Sequence, residues 1–272
     1  MTLDFTKMNG AGNDFVLLDN RDGSMALSRG QIARICDRHR GIGADGVLLV
    51  EPAGNGADFR MRYYNADGGE AEMCGNGARC FARYAARLSG GASSSAIAFE
   101  TLAGIIHARL CASDLVELVM SEPHDHAPET RLMMKGTDVP VHFINTGVPH
   151  AVVFVDDLEG SDVRGMGAAI RFHEHFAPKG TNANFVEVTA PGRLAIRTYE
   201  RGVEDETLAC GTGVVACALI HHLASGVPSP IQVRVRGGDT LEVAFQTSPA
   251  GGFRNITLTG PADFVFDGTL TL

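Results

Sequence analysis

The sequence predicts an α/β protein of the α+β type, made of two pseudo-symmetric halves that each wrap a mainly antiparallel sheet around a central helix. First, a tyrosine, an acidic stretch and Cys-Gly-x-Gly occur at 64–77 and again at 199–213. Second, many short segments alternate apolar and polar residues, which is typical of antiparallel strands with one buried face. Third, the residues after Gly211 are apolar on every side, which indicates a helix buried all round.

The first half, residues 1–120, carries signals for two helices and a series of strands. Ser28 is a favourable N-cap for a helix that we expect to run to about His39. A second helix is expected directly after Gly75, where glycines give way to an apolar run. The strands are predicted at 15–19, 46–50, 59–63, 97–99, 105–110 and 115–120.

The second half, residues 121–262, repeats this order. We predict a third helix at about 163–175 and a fourth after Gly211. The segment 121–129 is polar and contains two prolines, so we place the connection between the halves there. Residues 263–272 are expected to pair back onto the first half. The strands are predicted at 141–144, 151–155, 185–188, 194–198, 231–235, 241–245, 253–258 and 264–266.

The repeat extends beyond the cysteines and supports a tandem duplication. Cys74 and Cys210 lie 136 positions apart (210 − 74) in a chain of 272 residues, and the segment 12–17 resembles 147–152 at nearly the same offset.

The helix after Cys74 carries Arg79, Arg83 and Arg87 at steps of four, so they share one face. We predict that this arginine face is solvated or forms an interface.

Length, composition and charge limit the possible functions. A chain of 272 residues is long for one core and comfortable for two. No apolar run approaches the roughly 18 residues that a membrane span needs, and a net charge of −9 argues against nucleic acid or an anionic membrane as partner. We therefore expect a small polar ligand. The first residues include an acid and lack an apolar export region, so we expect the cytoplasm as location.

The six cysteines are predicted to be reduced thiols, because no export signal accompanies them. Only Cys74 and Cys210 stand beside glycines at the start of a helix. The other four lie in apolar stretches and are expected to be buried: Cys36, Cys80, Cys111 and Cys217.

The sequence predicts neither a metal nor a nucleotide cofactor. Gly-Ile-Gly-Ala-Asp-Gly at 41–46 matches the glycine pattern of dinucleotide-binding loops, but its strand follows the motif and no helix opens there. Four pairs of candidate zinc ligands lack the usual spacing of structural sites: Cys74 with Cys80, Cys210 with Cys217, His124 with His126, and His173 with His175.

The duplicated motif suits proton transfer at a carbon atom. A thiol at a helix N-terminus has its anion favoured by the helix dipole and by backbone N–H groups, which also bind carboxylate. Inverting a stereocentre by deprotonation needs a base on one face of the carbon and an acid on the other, and a thiolate and a thiol meet this need. For one copy, a buried thiol at a helix start is the simpler interpretation. Two copies at equivalent positions favour a functional pair.

The motifs at 12–15, 39–45, 65–68, 73–80, 182–185, 199–202 and 209–213 cover most of the chain. In this order they resemble the diaminopimelate epimerase family, pyridoxal-independent enzymes that interconvert L,L- and meso-diaminopimelate in lysine and peptidoglycan precursor biosynthesis. Proline racemases share the fold and the thiol pair, but they resemble the chain less at 76–80 and 199–202.

The resemblance implies a role for each matching residue and a homodimer without cofactor or metal. Cys74 would be the proton donor and Cys210 the proton acceptor, exchanging roles when the reaction reverses. His150 and Glu200 would tune the pKa of the thiols. The implied substrate-binding residues are Asn13, Asn65, Gly75, Asn76, Asn182, Glu200, Arg201, Gly211 and Thr212.

Two positions depart from a common version of the family pattern. Gly46 stands where some members have Gln, and Val148 where some have Asn, so neither side chain donates a hydrogen bond. Two other functions remain open at this point. One is an amino-acid-binding protein whose cysteines are structural. The other is an isomerase for a different substrate, such as proline or hydroxyproline.

Overall fold

The computed structural model describes residues 1–90, 95–134, 136–249 and 251–272, with no side chain described at Pro128. The chain forms two compact units, one of residues 1–118 with 260–272 and the other of residues 119–259. Within the described residues, no helix combines the length and the hydropathy that crossing a membrane requires.

The first unit contains two helices and its own set of strands. Ser28 caps the first helix with a capping box completed by Gln31. The elements in chain order are β1 (Thr2–Gly10), β2 (Asn13–Asp19), α1 (Arg29–Cys36), β3 (Gly46–Glu51), β4 (Phe59–Asn65), β5 (Glu70–Ala71), α2 (Gly75–Leu88), β6 (Ala96–Thr101), β7 (Gly104–Leu110) and β8 (Leu115–Val119).

The second unit repeats the alternation of strands and helices. Its third helix ends at Arg171 and is followed by a 3₁₀ turn at Glu174–Phe176. The elements are β9 (His124–Met134), β10 (Thr137–Asn145), β11 (Pro149–Phe154), α3 (Val163–Arg171), β12 (Asn182–Ala190), β13 (Arg193–Glu200), β14 (Asp205–Thr207), α4 (Gly211–Ser225), β15 (Ile231–Arg234), β16 (Thr240–Thr247) and β17 (Phe253–Pro261), and the last strand is β18 (Asp263–Thr271).

The two units have the same strand order. In the first, the neighbours run β18-β1-β2-β3-β4-β6-β7-β8, with β2–β3 and β4–β6 parallel and the other pairs antiparallel. In the second they run β9-β10-β11-β12-β13-β15-β16-β17, with β11–β12 and β13–β15 parallel. Each parallel pair is joined through a helix, as parallel connections require. The predicted fold class is confirmed.

Each unit packs its sheet around one helix. Helix α2 contacts β1, β2, β3, β4, β6 and β7, whereas α4 contacts strands β10 to β13, β15 and β16. Every residue of α4 from Gly213 to His221 is buried. This agrees with the prediction from its apolar sequence, because a helix enclosed by a sheet has no solvent-facing side.

The arginine face of α2 is not solvated at its first position, so this part of our prediction is wrong. Arg79 is fully buried, and its Nε–H donates to Pro261 O over 3.1 Å. One turn later, Arg83 Nη1 donates to Ala262 O over 2.6 Å. Arg87 pairs with Asp267 at 2.9 Å. The stripe therefore holds the segment that enters β18 against its own unit.

Four strands were not predicted, and two of them, β5 and β14, span only two and three residues. The segment 2–10 forms β1, and most of the expected connection at 121–129 is part of β9, which pairs with β10 through two register shifts. β9 ends the strand order of its unit, and charged or proline-containing sequences are tolerated there because such a strand need not satisfy neighbours on both sides. The polar composition of 121–129 was therefore a poor sign of a loop.

Candidate active site

Each unit places one cysteine immediately before its central helix. Cys74 is the N-cap residue of α2, with φ −135° and ψ 123°, and Ala78 N–H donates to its carbonyl over 2.8 Å. Cys210 is the N-cap residue of α4, with φ −123° and ψ 107°, and Val214 N–H donates to its carbonyl over 2.9 Å. The two motifs thus have the same local geometry, with the thiol beside the positive end of a helix.

Three of the other cysteines are buried and poorly acidic. Burial raises the pKa of Cys36 to about 11 and that of Cys80 to about 12, and it raises the pKa of Cys217 well above its ordinary value. Cys111 is partly exposed, so our prediction of burial is wrong for that residue. It follows the end of β7, where the alternating pattern of the strand no longer applies.

The first turn of each central helix supplies backbone N–H groups that could hold an anion. The first four N–H groups of a helix have no acceptor within the helix, and their partial positive charge suits a carboxylate. In α2 these groups begin at Gly75 and Asn76, and in α4 at Gly211 and Thr212. The predicted carboxylate-binding residues therefore stand at the position where such binding is chemically favourable.

In the first unit, Asn13 is held by a chain of hydrogen bonds. Asn76 Nδ2 donates to Asn13 Oδ1 over 2.7 Å, and Asn13 Nδ2 donates to Asp45 Oδ2 over 2.8 Å. Asn76 is itself fixed, because Arg79 Nη2 donates to Asn76 Oδ1 over 2.8 Å. The amide of Asn13 therefore has a defined orientation and keeps one N–H and one lone pair for a ligand.

Opposite charges surround Asp14, next to Asn13. Arg38 donates to both carboxylate oxygens of Asp14 over 2.9 and 2.8 Å, and Lys7 Nζ lies 2.8 Å from Asp14 Oδ2. Burial alone would raise the pKa of Asp14, but these two cations lower it to about 2. Asp14 Oδ1 also accepts the N–H of Asp45 over 3.0 Å, so the ion cluster supports the partner of Asn13.

In the second unit, His150 connects the sheet to the first turn of α4. His150 Nε2 lies 2.9 Å from Thr212 Oγ1, which lies 3.6 Å from Cys210 Sγ. On its other side, His150 Nδ1 lies 3.1 Å from Asn184 Nδ2. Burial, assisted by the charge of Arg201, lowers the pKa of His150 to about 3, so the ring is neutral at physiological pH.

Asn182, Glu200 and Arg201 form a second group in the same unit. Asn182 Nδ2 donates to Pro149 O over 2.9 Å, and Asn182 Oδ1 accepts the Arg201 N–H over 2.8 Å. Burial raises the pKa of Glu200, whose carboxylate accepts the Thr207 hydroxyl over 2.9 Å. Asn182 therefore orients the loop that carries Arg201.

Asn65 is exposed at the end of β4, directly opposite Gly46 in the sheet register. A Cβ atom at Gly46 would lie 2.6 Å from Tyr64 O and 2.7 Å from the Tyr63 ring. The Tyr63 ring thus fills the space that a longer side chain at position 46 would enter. Val148 is half-buried, and its carbonyl accepts the Thr146 N–H over 3.1 Å in the turn before β11.

The alternative cofactor motifs have structural explanations. The glycine-rich segment 41–46 follows α1, and the N–H groups of Gly41, Ile42 and Gly43 donate to carbonyls of the end of that helix and its C-cap. This loop closes a helix C-terminus, whereas the dinucleotide-binding motif places its phosphates at a helix N-terminus. No group of three metal-ligating side chains is assembled among the residues that the structure describes.

Sequence reasoning did not single out Asn184. Its position two residues after Asn182 on β12 places both side chains on one face of the strand. An asparagine between Ala183 and Phe185, both apolar, was a usable signal, because a buried amide needs designated partners. Sequence reasoning also did not single out Thr198, whose hydroxyl donates to Asn184 Oδ1 over 3.0 Å.

Solved structures define the fold class. The chain matches a phenazine biosynthesis protein of the PhzF family from Bacillus anthracis with a TM-score of 0.76 and 16% identity, covering 100% of both chains. It matches a probable proline racemase from Agrobacterium radiobacter K84 with a TM-score of 0.71 and 16% identity, covering 99% of this chain and 92% of that one. At these identities the likeness shows a shared fold.

Sequence relatives give the family. A sequence model described as diaminopimelate epimerase matches residues 5–125 and 142–265. Proteins named diaminopimelate epimerase from Hydrogenobaculum sp. (strain Y04AAS1) and Aquifex aeolicus (strain VF5) are each 42% identical, over 98% and 99% of this chain and 98% of each relative. One from Chlorobaculum tepidum is 43% identical over 97% of this chain and all of the relative. The chain therefore belongs to the diaminopimelate epimerase family, a family of isomerases, as predicted.

Proposed function

We propose that the protein interconverts L,L- and meso-diaminopimelate, with Cys74 and Cys210 as its acid–base pair. The observation that carries this proposal is the repeated placement of a cysteine at the N-cap of each central helix. Relatives that bear the name diaminopimelate epimerase and match almost the whole chain support the substrate.

The proposed reaction removes one proton from the α-carbon of the substrate and adds another to its opposite face. A thiolate at Cys210 removes the α-proton, and the electrons of the broken C–H bond enter the carboxylate as an enediolate. The thiol of Cys74 then protonates the carbon from the other face, and the reverse reaction exchanges the two roles. Because an α-proton is weakly acidic, stabilisation of the anionic intermediate by preorganised N–H groups must supply much of the rate.

The helix N-termini are the proposed carboxylate site. Gly75 and Asn76 in one unit, and Gly211 and Thr212 in the other, present first-turn N–H groups at positions without bulky side chains. These groups would strengthen their hydrogen bonds as negative charge moves onto the carboxylate.

The remaining polar groups are proposed to recognise the amino groups and the second carboxylate of the substrate. Asn13 and Asn182 suit this role because their amides are oriented by neighbours and retain unused hydrogen-bonding capacity. Arg201 supplies a positive charge for a carboxylate, and Glu200 a negative charge for an amino group. The full proposed set is Asn13, Asn65, Asn182, Glu200 and Arg201.

His150 and Glu200 are proposed to tune the thiols. His150 reaches Cys210 through the hydroxyl of Thr212, with steps of 2.9 and 3.6 Å. A hydrogen bond donated to sulfur favours the thiolate and lowers the pKa of the thiol.

Deuterium exchange tests the proposal directly. The wild-type protein should incorporate deuterium from D2O at the α-carbon of diaminopimelate while the two isomers equilibrate, followed by NMR and chiral chromatography. Cys74→Ala and Cys210→Ala should lose epimerisation, whereas Cys36→Ala, at a buried thiol outside the motifs, is the matched control. Full turnover in either single variant would refute the two-thiol mechanism, and turnover of proline or hydroxyproline in place of diaminopimelate would refute the substrate.

We also infer a cytoplasmic homodimer that acts in lysine and peptidoglycan precursor biosynthesis. This inference is supported by the family to which the chain belongs. Sedimentation equilibrium would give the mass of the assembly directly, and a monomer across the micromolar range would refute the dimer.

A further inference from the structure

The N-terminal turn of α4 rests on buried polar side chains. His150 and Asn184 are fully buried, and Thr198 is 2% exposed. A Cβ atom at Gly213 would lie only 2.5 Å from Asn184 Oδ1 and 3.4 Å from His150 Cε1. The helix therefore sits directly on the histidine and the asparagine, without an intervening side chain.

The amide of Asn184 has one orientation. Its Nδ2 lies 2.9 Å from Ala151 O, a backbone carbonyl that can only accept a hydrogen bond. Its Oδ1 lies 3.0 Å from the hydroxyl of Thr198, which can donate. Exchanging the oxygen and nitrogen positions would set two acceptors against each other at Ala151. The group that faces His150 is consequently the NH₂ of the amide.

This orientation selects the tautomer of His150. The Asn184 Nδ2 atom lies 3.1 Å from His150 Nδ1 and can only donate, so Nδ1 must accept. In the neutral ring the proton is then on Nε2, which lies 2.9 Å from Thr212 Oγ1. Thr212 accepts this N–H, so its own hydroxyl proton is available to Cys210 Sγ at 3.6 Å.

The first unit has apolar side chains at the equivalent positions. Phe15 and Leu48 occupy the sheet positions that correspond to His150 and Asn184, because β2–β3 and β11–β12 share the same parallel register. A Cβ atom at Gly77 would lie 3.4 Å from Phe15 and 3.6 Å from Leu48. The polar support is thus a difference between the two copies of the fold.

We propose that Asn184 is a positioning residue that directs the hydrogen bonds Asn184→His150→Thr212→Cys210, so that Cys210 is held as the thiolate before substrate binds. The chemical consequence, that Cys210 is the base of the resting enzyme, rests on the proposed epimerase function. The direction of the hydrogen bonds does not rest on that function, because it follows from the contacts of Asn184 and His150 alone.

The tautomer can be measured directly in the wild-type protein. Protein labelled with ¹⁵N-histidine contains ten labelled rings, and the His150 signals are those missing from the spectrum of His150→Gln. The proposal requires the proton of His150 on Nε2 and an acceptor at Nδ1. A His150 ring protonated on Nδ1 would overturn it.

Alkylation tests the effect on sulfur. In Asn184→Leu, which places the residue type of Leu48 at this position, His150 loses the donor that fixes its tautomer. Modification of Cys210 by iodoacetamide, followed by peptide mass spectrometry, should slow by about tenfold, the scale of a lost hydrogen bond to a charged group. Modification of Cys74 in the same sample should keep its rate.

Two further variants separate this effect from general disruption. Thr198→Val keeps the shape of the side chain but removes the donor to Asn184 Oδ1, so it should slow Cys210 modification by a smaller factor. Asn20→Leu replaces another buried asparagine, which donates to Met25 O over 3.1 Å in the first unit, and should leave Cys210 unchanged. Equal Cys210 rates in wild type and Asn184→Leu would overturn the proposal.

Kinetics distinguish this proposal from the proposed function. With diaminopimelate as substrate, Asn184→Leu should lower kcat by about tenfold with little change in KM, because Asn184 is fully buried beneath α4 and is not among the proposed substrate-binding residues. If the wild type exchanges no α-proton, the proposed function fails, while the tautomer and alkylation results still decide the direction of the hydrogen bonds. If the wild type is active and Asn184→Leu changes neither the tautomer nor kcat, the positioning role fails and the function stands.

Discussion

Acidification below neutral pH should destabilise the protein through His150. The ring is buried, and its pKa falls from an ordinary 6.5 to about 3, mainly through loss of solvation and further through the charge of Arg201. The unfolded chain therefore takes up a proton at His150 before the folded chain does.

The size of the effect follows from the two pKa values. Between the unfolded and folded pKa, each pH unit lowers the free energy of unfolding by about 1.4 kcal/mol. At about pH 5 the loss from His150 is therefore about 2 kcal/mol, and it approaches 5 kcal/mol by about pH 3. Above the unfolded pKa of 6.5 this contribution to stability is fully present.

Urea unfolding at several pH values tests this effect. The chain contains no tryptophan, so far-ultraviolet circular dichroism is the suitable signal. His150→Gln should be less stable than wild type near neutral pH, because it breaks the contact with Asn184. Its unfolding free energy should fall by about 2 kcal/mol less than that of wild type between about pH 7 and pH 5.

An exposed histidine provides the control. His39, in the loop after α1, is exposed, and His39→Gln should keep the pH dependence of the wild type. The remaining histidines are the same in wild type, His150→Gln and His39→Gln. A difference between wild type and His150→Gln in the slope of unfolding free energy against pH therefore reports on His150. Parallel slopes for wild type and His150→Gln would show that His150 is not held neutral by burial.

Three other predictions follow from single contacts. Because Lys7 and Arg38 lower the pKa of Asp14 from 3.8 to about 2, Asp14→Asn should cost about 2 kcal/mol in urea unfolding at neutral pH, and this deficit should shrink as pH falls through that range. Gly213→Ala should destabilise by about 1–3 kcal/mol in the same assay, because its Cβ would lie 2.5 Å from Asn184 Oδ1, whereas Gly30→Ala in α1, with no atom within 4 Å, should not destabilise. Cys80, with its pKa raised to about 12, should resist iodoacetamide in the native protein and react in urea; rapid native modification would contradict its burial.

The duplicated pattern made much of the fold predictable. The Cys-Gly-x-Gly repeat and the apolar helix after it lead to a sheet around a central helix, because a helix with no polar side must be enclosed. The four helices start at or within one residue of the predicted positions. Strand β9 was missed because it ends its strand order and carries charged and polar residues that resemble a loop. Strand β1, which pairs with both β18 and β2, has no such explanation.

The candidate site was predictable in residue type but not in its connections. Sequence identified His150 and Thr212 separately, and only the structure shows that 2.9 Å separates their polar atoms. Asn184 was overlooked because its partners come from β11 and β13, and such long-range contacts leave no local sequence pattern. Arg79 was assigned to a solvated or interface face because helical periodicity cannot show that a distant segment covers that face.

The pairing of β18 with β1 has a consequence for synthesis of the protein. β18 begins at Asp263, 253 residues (263 − 10) after β1 ends at Gly10, and the two strands pair along almost their whole length. In the second unit, the equivalent strand β9 immediately precedes its partner β10. During translation, the second unit can therefore complete its strand order as it emerges from the ribosome. The amino-terminal unit, although made first, must keep the edge of β1 unpaired until the second unit has been synthesised, and this interval is when chaperone binding would have most effect.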